Sequence, residues 1–494
     1  WDMAMHQSYA LNYLPGALRP PTLRGWEWSG NYPPLVHLLI ALCYELFRPG
    51  PHSAPLANIP ATVLLFWAIY ELASELSDRK AARWACILTA LTPYMVWMSR
   101  ETILDYWLSA WVAVGLLLLH RTRGFASGPT SFLFGLAFAL GMLTKWFFAG
   151  FLAVPLLYVC RQYRVWSDSA RKLYLADSLL VAGIVAGVWY VPNLPGLIRY
   201  YSENARIGAR EGEPPVASFQ SLIYYLRLLE GYQLFALLFL LLVLGCYFAW
   251  RKRLLKDGGF FLGFVAGGWF IMTMMRTKDP RFTMPILGVI AIAPAAWVQS
   301  WGRGIIARAA HIVLVGVLCV QVYASNFGIR GLPEEIVLMR GYAGALTWNW
   351  NLYLQHYFHI LGPPRRENWK QEEILTRLAE DAAKHRTRLA LAVIPDLPHF
   401  SAANFHLYAR LRGMAIRVEH PQSADGGIRA FDGYDYALMT ERDQGISWTT
   451  AASRALNQII VDERRVFRLL DLFPLPNGDS ARLYHINREQ QTAD

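Results

Sequence analysis

Long apolar runs separated by short basic clusters fill the first two thirds of the chain. A membrane-crossing helix needs about 20 apolar residues, within about 17–25. By that measure ten spans are predicted, near residues 57–75, 82–99, 103–120, 130–146, 148–160, 174–192, 232–250, 259–275, 283–299 and 308–325. The fifth is short for a span, and the orientation argument requires it. The apolar stretch 33–48 is also short. Pro33 and Pro34 precede it and Arg48, Pro49 and Gly50 follow it, so it reads as an interfacial or re-entrant helix. After about residue 326 the pattern changes. Residues 372–384 read as an amphipathic helix, 389–394 as a buried strand, 405–412 as a helix capped by Gly413, and 414–418, 436–440 and 466–473 as further strands. Alternating helix and strand signals predict a small α/β domain. The expected organisation is a polytopic α-helical membrane domain over 1–325 with its first outer loop at 1–56, a linker over 326–366, and a soluble α/β domain over 367–494.

Composition supports this division. Of 494 residues, 54% are hydrophobic and 17% charged. A soluble protein carries about 25% charged residues, so an ordinary cytosolic enzyme is excluded. The net charge of +11 sits in loops between spans rather than on one basic face. It therefore reports topology, not nucleic acid. Basic residues cluster at Arg79, Lys80 and Arg83, at Arg121 and Arg123, at Arg161 to Lys172, at Arg251 to Lys256, and at Arg303 and Arg308. The positive-inside rule places these five loops in the cytoplasm. Residues 1–56, 193–231 and everything after 325 then face outward, and a further span is expected upstream of Trp1. The five cysteines lie in apolar stretches without a CxxC pair and read as small hydrophobes.

Ionisable groups at membrane depth are costly and often functional. Asp2 opens the first outer segment. Arg100, Glu101 and Asp105 occupy one outer junction, Lys145 lies between two apolar runs, and Arg276, Lys278, Asp279 and Arg281 form another outer turn. All share one face of the membrane under this topology. Each has a structural reading too: an N-cap for Asp2, a neutral Arg100–Glu101 pair, a snorkelling Lys145, and headgroup contact for 276–281. Glu101 and Asp105 are four apart and share a helical face, so Asp105 wants a cationic partner. Trp26, Trp28 and Tyr32 suit a headgroup layer. Glu27 and His37 are metal-ligand types, but two residues do not make a site. The C-terminal domain shows no glycine-rich phosphate loop and no catalytic constellation, and reads as a lid or acceptor-recognition domain.

These elements, in this order, resemble the GT-C membrane glycosyltransferases. The likeness is greatest to the dolichyl-phosphate-mannose protein mannosyltransferase-like group, which includes the lipid A aminoarabinose transferases. The matching features are the acid in WDMAMHQSYALNYL, the YPPL element at Tyr32–Leu35, the basic turn SDRKAARW, the pattern Ser99-Arg100-x(4)-Asp105, the GxLTK element ending at Lys145, and Lys278-x-x-Arg281-Phe282-x-x-Pro285. The resemblance implies transfer of a sugar from a polyprenyl-phosphate donor to an acceptor hydroxyl on a lipid, polysaccharide or protein, with inversion. It implies Asp2 as general base and Asp105 as a second acid that orients the acceptor or a cation. Lys278 and Arg281, then Lys145 and Arg100, would stabilise the leaving lipid phosphate, with Glu101, Tyr32 and His37 lining the substrate site. No cofactor is required by this chemistry, and a divalent metal is not indicated. The implied location is the bacterial inner membrane, with the site and the C-terminal domain facing the periplasm. Two positions depart from the pattern. Met3 follows Asp2 where Glu is frequent, and Asn31 and Tyr32 stand where the aminoarabinose group has Glu-Lys. That group's metal site and lipid A specificity are therefore not carried over. A glycolipid transporter or flippase would predict matching internal halves, which are not visible; a non-catalytic lipid-sugar binding protein would bind the donor without turning it over.

Overall fold

Backbone polar groups inside a bilayer must be satisfied within the segment, so apolar length translates into helix. The computed structural model describes residues 2–14, 29–210, 213–343, 346–355, 362–364, 367–385, 389–421 and 423–487. The chain divides into two units. One comprises Leu18–Ile40 and Pro55–Pro364, the other Trp1–Ala17, Ala41–Ala54 and Arg365–Asp494. This partition differs from a single cut near 325: much of the first outer segment groups with the C-terminal domain, because its helix packs there.

The larger unit is helical. Its elements are α3 (Asn58–Leu76), α4 (Arg79–Ala90), α5 (Pro93–Met98), α6 (Leu104–Arg121), α7 (Gly128–Met142), α8 (Phe148–Gln162), α9 (Ser169–Arg210), α10 (Phe219–Leu228), a π turn at Leu229–Gln233, α11 (Phe235–Arg251), α12 (Gly258–Met274), α13 (Met284–Ile290), α14 (Ile292–Gln299) and α15 (Ile305–Phe327). Among the described residues, four helical segments are long and apolar enough to cross a membrane: Ala54–Leu76, Ser169–Glu203, Pro280–Gln299 and Ile305–Phe327. Helices α7, α8, α11 and α12 are shorter and apolar, as is α2 (Leu35–Phe47). With 13 residues, α2 reaches only about 20 Å, well short of the roughly 30 Å hydrocarbon core. The outward faces are apolar: Leu180, Ile184 and Val191 on α9 and Ile305, Ile306 and Ile312 on α15 are exposed. Such faces suit lipid rather than water, and the protein is an integral, polytopic helical membrane protein.

Local chemistry sets several boundaries. The Asp78 carboxylate caps α4 by accepting from the Lys80 and Ala81 amides. Pro93 begins α5 and splits the span expected at 82–99 into α4 and α5. Two differences stand out. Helix α9 runs for 42 residues through Pro192 and Pro195, where an outer loop was expected from 193. Apolarity marks where the lipid contact ends, not where the backbone ladder ends. The expected linker holds an antiparallel hairpin, β1 (Glu335–Ala343) and β2 (Leu346–Leu354). The alternating aromatic run in β2, Trp348, Trp350 and then Tyr353, is the signal that predicts it.

In the second unit, a five-stranded sheet has the order β4-β3-β5-β7-β6. Its strands are β3 (Ala390–Val393), β4 (Arg417–Glu419), β5 (Tyr436–Thr440), β6 (Phe467–Pro474) and β7 (Ser480–Ile486). Strands β4, β3 and β5 are parallel, and β7 and β6 run antiparallel. One face packs against Ile374, Leu375 and Leu378 of α16 (Gln371–His385) and Phe405 of α17 (Ala402–Leu411). The other packs against Leu456 and Ile460 of α18 (Ser447–Asp462). Helix α1 (Asp2–Leu11) packs on α17. Strand β7 and helix α18 were not foreseen in the sequence; Ser453, Leu456, Asn457 and Ile460 are buried at helical spacing.

Candidate active site

The site elements of the helical unit are positioned by hydrogen bonds at the turns between helices. The turn between α5 and α6 is tied to α3: the Asn58 amide donates to the carbonyls of Ser99 and Glu101 at 3.1 and 2.8 Å. Trp107 Nε1 donates to the Ala57 carbonyl at 3.1 Å. This fixes the first turn of α6, where Asp105 is fully buried. Lys145 Nζ donates to both Asp105 carboxylate oxygens, at 2.8 and 2.9 Å. The partner that Asp105 requires thus comes from the turn after α7, 40 residues on. Lys145 also lies 4.7 Å from the Phe147 ring centre and 5.2 Å from that of Phe282. The GxLTK element and the Lys278–Pro285 turn therefore meet across Lys145.

Within that turn Arg281 pairs with Asp279 through Nε, at 2.8 and 3.0 Å, and through Nη2. The π turn grips the same segment. Gln233 donates from Nε2 to the Pro280 carbonyl at 2.8 Å and accepts from Thr283 Oγ1 at 2.8 Å. π-Helical turns recur at functional sites. Burial opposes ionisation of Asp279, yet the Arg281 guanidinium, with a contribution from Lys145, holds its carboxyl below the usual range. Tyr94 of α5 lies within electrostatic reach of Asp279, Arg281, Asp105 and Glu101. Glu101 is pushed up to about 7 by burial, against the pull of Arg100 and Arg281. These groups form one connected charged patch.

Other expected site residues take structural positions. The Lys278 ammonium donates to the carbonyls of Met272, Thr273 and Met275 at 3.1, 2.9 and 2.7 Å. An ammonium has three donors, so Lys278 is engaged in capping the end of α12. Burial lowers it to about 8, with Glu213 opposing. Arg100 donates to the Asn326 carbonyl and side chain at 3.3 and 3.0 Å and to the Gly362 carbonyl at 3.3 Å, bracing the end of α15. Tyr32 and Tyr200 share a hydroxyl contact of 3.0 Å. His37 is fully buried, with Nδ1 2.8 Å from Ser29 Oγ. A cavity of about 290 Å³ lies nearby, lined by Gly30, Asn31, Trp189, Asn193 and Gly196 among others. Glu27, Trp26 and Trp28 lie outside the described residues. No group of three or more His, Cys, Asp or Glu side chains suited to a metal occurs among the described residues. Asp2 belongs to the other unit, half-buried in the first turn of α1. Asn58, Tyr94 and Gln233 were missed in the sequence: neutral polar residues give no signal at membrane depth comparable to a charge.

Spans, outer charged patch and a C-terminal α/β domain together define the GT-C glycosyltransferase fold. Within that fold the chain is similar to aminoarabinose transferases and protein mannosyltransferases. The dolichyl-phosphate-mannose-protein mannosyltransferase family profile matches residues 31–195. The undecaprenyl phosphate-alpha-4-amino-4-deoxy-L-arabinose arabinosyl transferase of Edwardsiella ictaluri is 26% identical over 315 residues, covering 58% of this chain and 54% of that protein. A second transferase of that name, from Sodalis glossinidius, is 26% identical over 321 residues, covering 60% and 56%. The chain thus spans about half the length of the curated relatives it matches. Among solved structures, ArnT from Cupriavidus metallidurans bound to undecaprenyl phosphate aligns with a TM-score of 0.56 at 13% identity, covering 98% of this chain and 93% of that one. The archaeal oligosaccharyltransferase AglB from Archaeoglobus fulgidus, in complex with an inhibitory peptide and a dolichol-phosphate, aligns with a TM-score of 0.53 at 12% identity, covering 99% and 70%.

Proposed function

We propose that the protein is a membrane glycosyltransferase that moves a sugar from a polyprenyl-phosphate donor to an acceptor hydroxyl, acting at the periplasmic face of a bacterial inner membrane. The observation that carries this reading is the meeting of three separated motifs in one patch: Asp105 with Lys145, Lys145 with Phe282, and Arg281 with Asp279. A lipid phosphate leaving group develops negative charge, and pre-oriented cations at that oxygen lower the barrier. Arg281, aimed by Asp279, presents a planar fork suited to phosphate. Lys145 supplies the second positive charge, its own desolvation offset by Asp105. Lys278 supports the turn that carries Arg281. Asp2 acts as general base on the acceptor hydroxyl. Attack at the anomeric carbon forms the new glycosidic bond as the bond to phosphate breaks, the hydroxyl proton passes to Asp2, and the configuration inverts. The transferase relatives support the donor class, and the acceptor is a lipid, glycan or protein hydroxyl.

Transfer in proteoliposomes tests this reading. A panel of radiolabelled polyprenyl-phosphate sugars is supplied with an envelope extract as acceptor. Wild-type protein is expected to transfer one of them, and Asp2→Asn to lose transfer while still binding the donor. Movement of labelled lipid between leaflets without transfer would instead make the protein a transporter.

A further inference from the structure

Ligands of open α/β sheets bind beyond the carboxyl ends of parallel strands. In the C-terminal domain those ends are Val393 of β3, Glu419 of β4 and Thr440 of β5. The chain leaving β3 turns at Pro395 and presents Asp396, half-buried. Its backbone is fixed there: the Asp396 amide donates to the Gln444 carbonyl at 2.9 Å. Gly445, at φ +96°, approaches so closely that a Cβ would lie 2.1 Å from the Asp396 carbonyl oxygen. The chain leaving β4 presents His420, whose Nδ1 lies 3.1 Å from the Val393 carbonyl oxygen. The two side chains thus emerge from adjacent strand ends.

Helix α1 brings Asp2 to the same place. Near the far end of α17, Arg410 Nη1 donates to the Ser8 carbonyl and to Asn12 Oδ1, both at 2.7 Å. This ties the C-terminal end of α1 to the C-terminal end of α17, on which α1 packs. Asp2, in the first turn of α1, comes within electrostatic reach of Asp396 beyond the β3 exit. The charged groups within electrostatic reach of Asp396 are His420, the amino terminus of the chain and Asp2. Burial, opposed by His420 and that amine and reinforced by Asp2, raises the Asp396 carboxyl above its ordinary value.

We propose that Asp396 and His420 are acceptor-positioning residues of the transferase, holding a hydroxyl of a sugar-bearing acceptor beside Asp2. The assignment rests on the proposed transferase function and adds the domain that recognises the acceptor. A vicinal diol of the acceptor can donate one hydroxyl to the Asp396 carboxylate and the other to His420 Nε2, since the ring's Nδ1 proton is held by the Val393 carbonyl, leaving the reacting hydroxyl to Asp2. Neither residue takes the proton of the reaction.

The test uses the full chain in proteoliposomes, with the polyprenyl-phosphate sugar that wild type turns over and an extracted envelope glycolipid fraction as acceptor. Asp396→Asn is expected to raise the half-saturating acceptor concentration about tenfold and leave that for donor unchanged. In wild type, acceptor half-saturation should rise on acidification as Asp396 takes up a proton, and the Asn variant should lose that dependence. Asp396→Glu should recover part of the acceptor affinity, and His420→Gln should weaken acceptor and not donor use. Asp396→Asn with wild-type acceptor dependence at every pH overturns the assignment. Equal weakening of donor and acceptor, or a fall in Tm without rescue by Glu, also overturns it in favour of a structural role. Wild-type protein that transfers no sugar overturns the transferase reading, and the assignment with it.

Discussion

Asp105 is fully buried and Lys145 is 9% exposed, so neither charge survives comfortably without the other. Removing one member of such a pair costs about 3–5 kcal/mol, whereas removing both together can be neutral. Asp105→Asn should therefore lower the unfolding temperature in detergent sharply, and Asp105→Asn with Lys145→Met should restore most of the loss. A single variant as stable as wild type would show that water reaches the pair. If the double variant is stable yet inactive, the pair serves the reaction as well as the fold. Glu101 makes a pH prediction. Its folded value is about 7, above an unfolded carboxyl near 4.3. Between these values the folded state holds more protons, so stability falls as pH rises, by at most about 1.4 kcal/mol per unit. Below the window its burial carries no charge penalty; above it the penalty is complete. Glu101→Gln should flatten stability measured between pH 5 and 7, and an unchanged slope would assign the titration to another group. Lys278 and Arg281 separate in kinetics. Lys278→Met removes the ammonium that caps α12 and should lower stability, with donor half-saturation raised less than by a change at Arg281. Arg281→Lys keeps the charge but loses the fork, and should raise donor half-saturation about tenfold, a loss of about 1.4 kcal/mol.

At the scale of elements, helix packing in lipid relies on small residues that let backbones approach. Gly135 of α7 faces α9, where a Cβ would stand 2.4 Å from the Ser178 carbonyl oxygen and 2.9 Å from its Cα. Backbone cannot swing aside as a side chain can. Gly135→Ala should cost about 1–3 kcal/mol, read as a lower unfolding temperature, and Gly183→Ala, with nothing within 4 Å, should cost little. Helix propensity favours Ala over Gly at both positions, so a loss confined to Gly135→Ala reports the close approach, and equal losses would show that it does not. The same scale shows what the sequence could and could not convey. The apolar runs located the helices because a bilayer demands apolar length, but they did not set helix length: four described segments reach spanning length, others are shorter, and the run 82–99 is split at Pro93. They could not show α9 continuing past Pro192, since a helix leaving lipid obeys no hydropathy rule. The charged site residues were legible because a charge at membrane depth demands a reason. Their pairing was not, since Asp105 and Lys145 are joined by the packing of α6 on α7, a tertiary fact. Gln233 was hidden for a different reason: the π turn that aims it has no sequence signature. The C-terminal strands were legible where they were short and apolar, as β5 is. β7 was missed because the adjacent buried residues Leu483 and Tyr484 interrupt the alternation of Ala481, Leu483 and Ile486 with polar neighbours.

At the scale of the whole molecule, topology reduces to parity: each crossing changes the side. Lys252 follows α11 and Arg330 follows α15, and both are exposed. Between them lie α12, the segment Pro280–Gln299, and α15. The middle segment decides the parity. It is broken at Ala291 between α13 and α14, and 83% of its apolar window is buried inside the protein. A break of this kind is compatible with either a crossing or a re-entrant hairpin on length alone. Its 20 residues extend about 30 Å as helix, which matches the hydrocarbon core. The carbonyl of Gly288, at the middle of the segment, accepts from Thr89 Oγ1 of α4 at 3.2 Å, so an otherwise exposed polar group is satisfied in the interior. A crossing therefore meets both requirements of the bilayer, and with α12 counted as a crossing three are expected between the two positions. Lys252→Cys and Arg330→Cys, each in a background lacking the five native cysteines, should label from opposite sides with a membrane-impermeant maleimide. The basic cluster Arg251 to Lys256 predicts a cytoplasmic Lys252, so Arg330 should react in whole spheroplasts and Lys252 only after permeabilisation. Labelling of both from the cytoplasmic side would make Pro280–Gln299 re-entrant; Arg281, one crossing from Lys252, would keep its face, while Arg330 and the chain after it would move to the cytoplasm. The outer location proposed for the C-terminal domain, and with it the acceptor role of Asp396, would then fail.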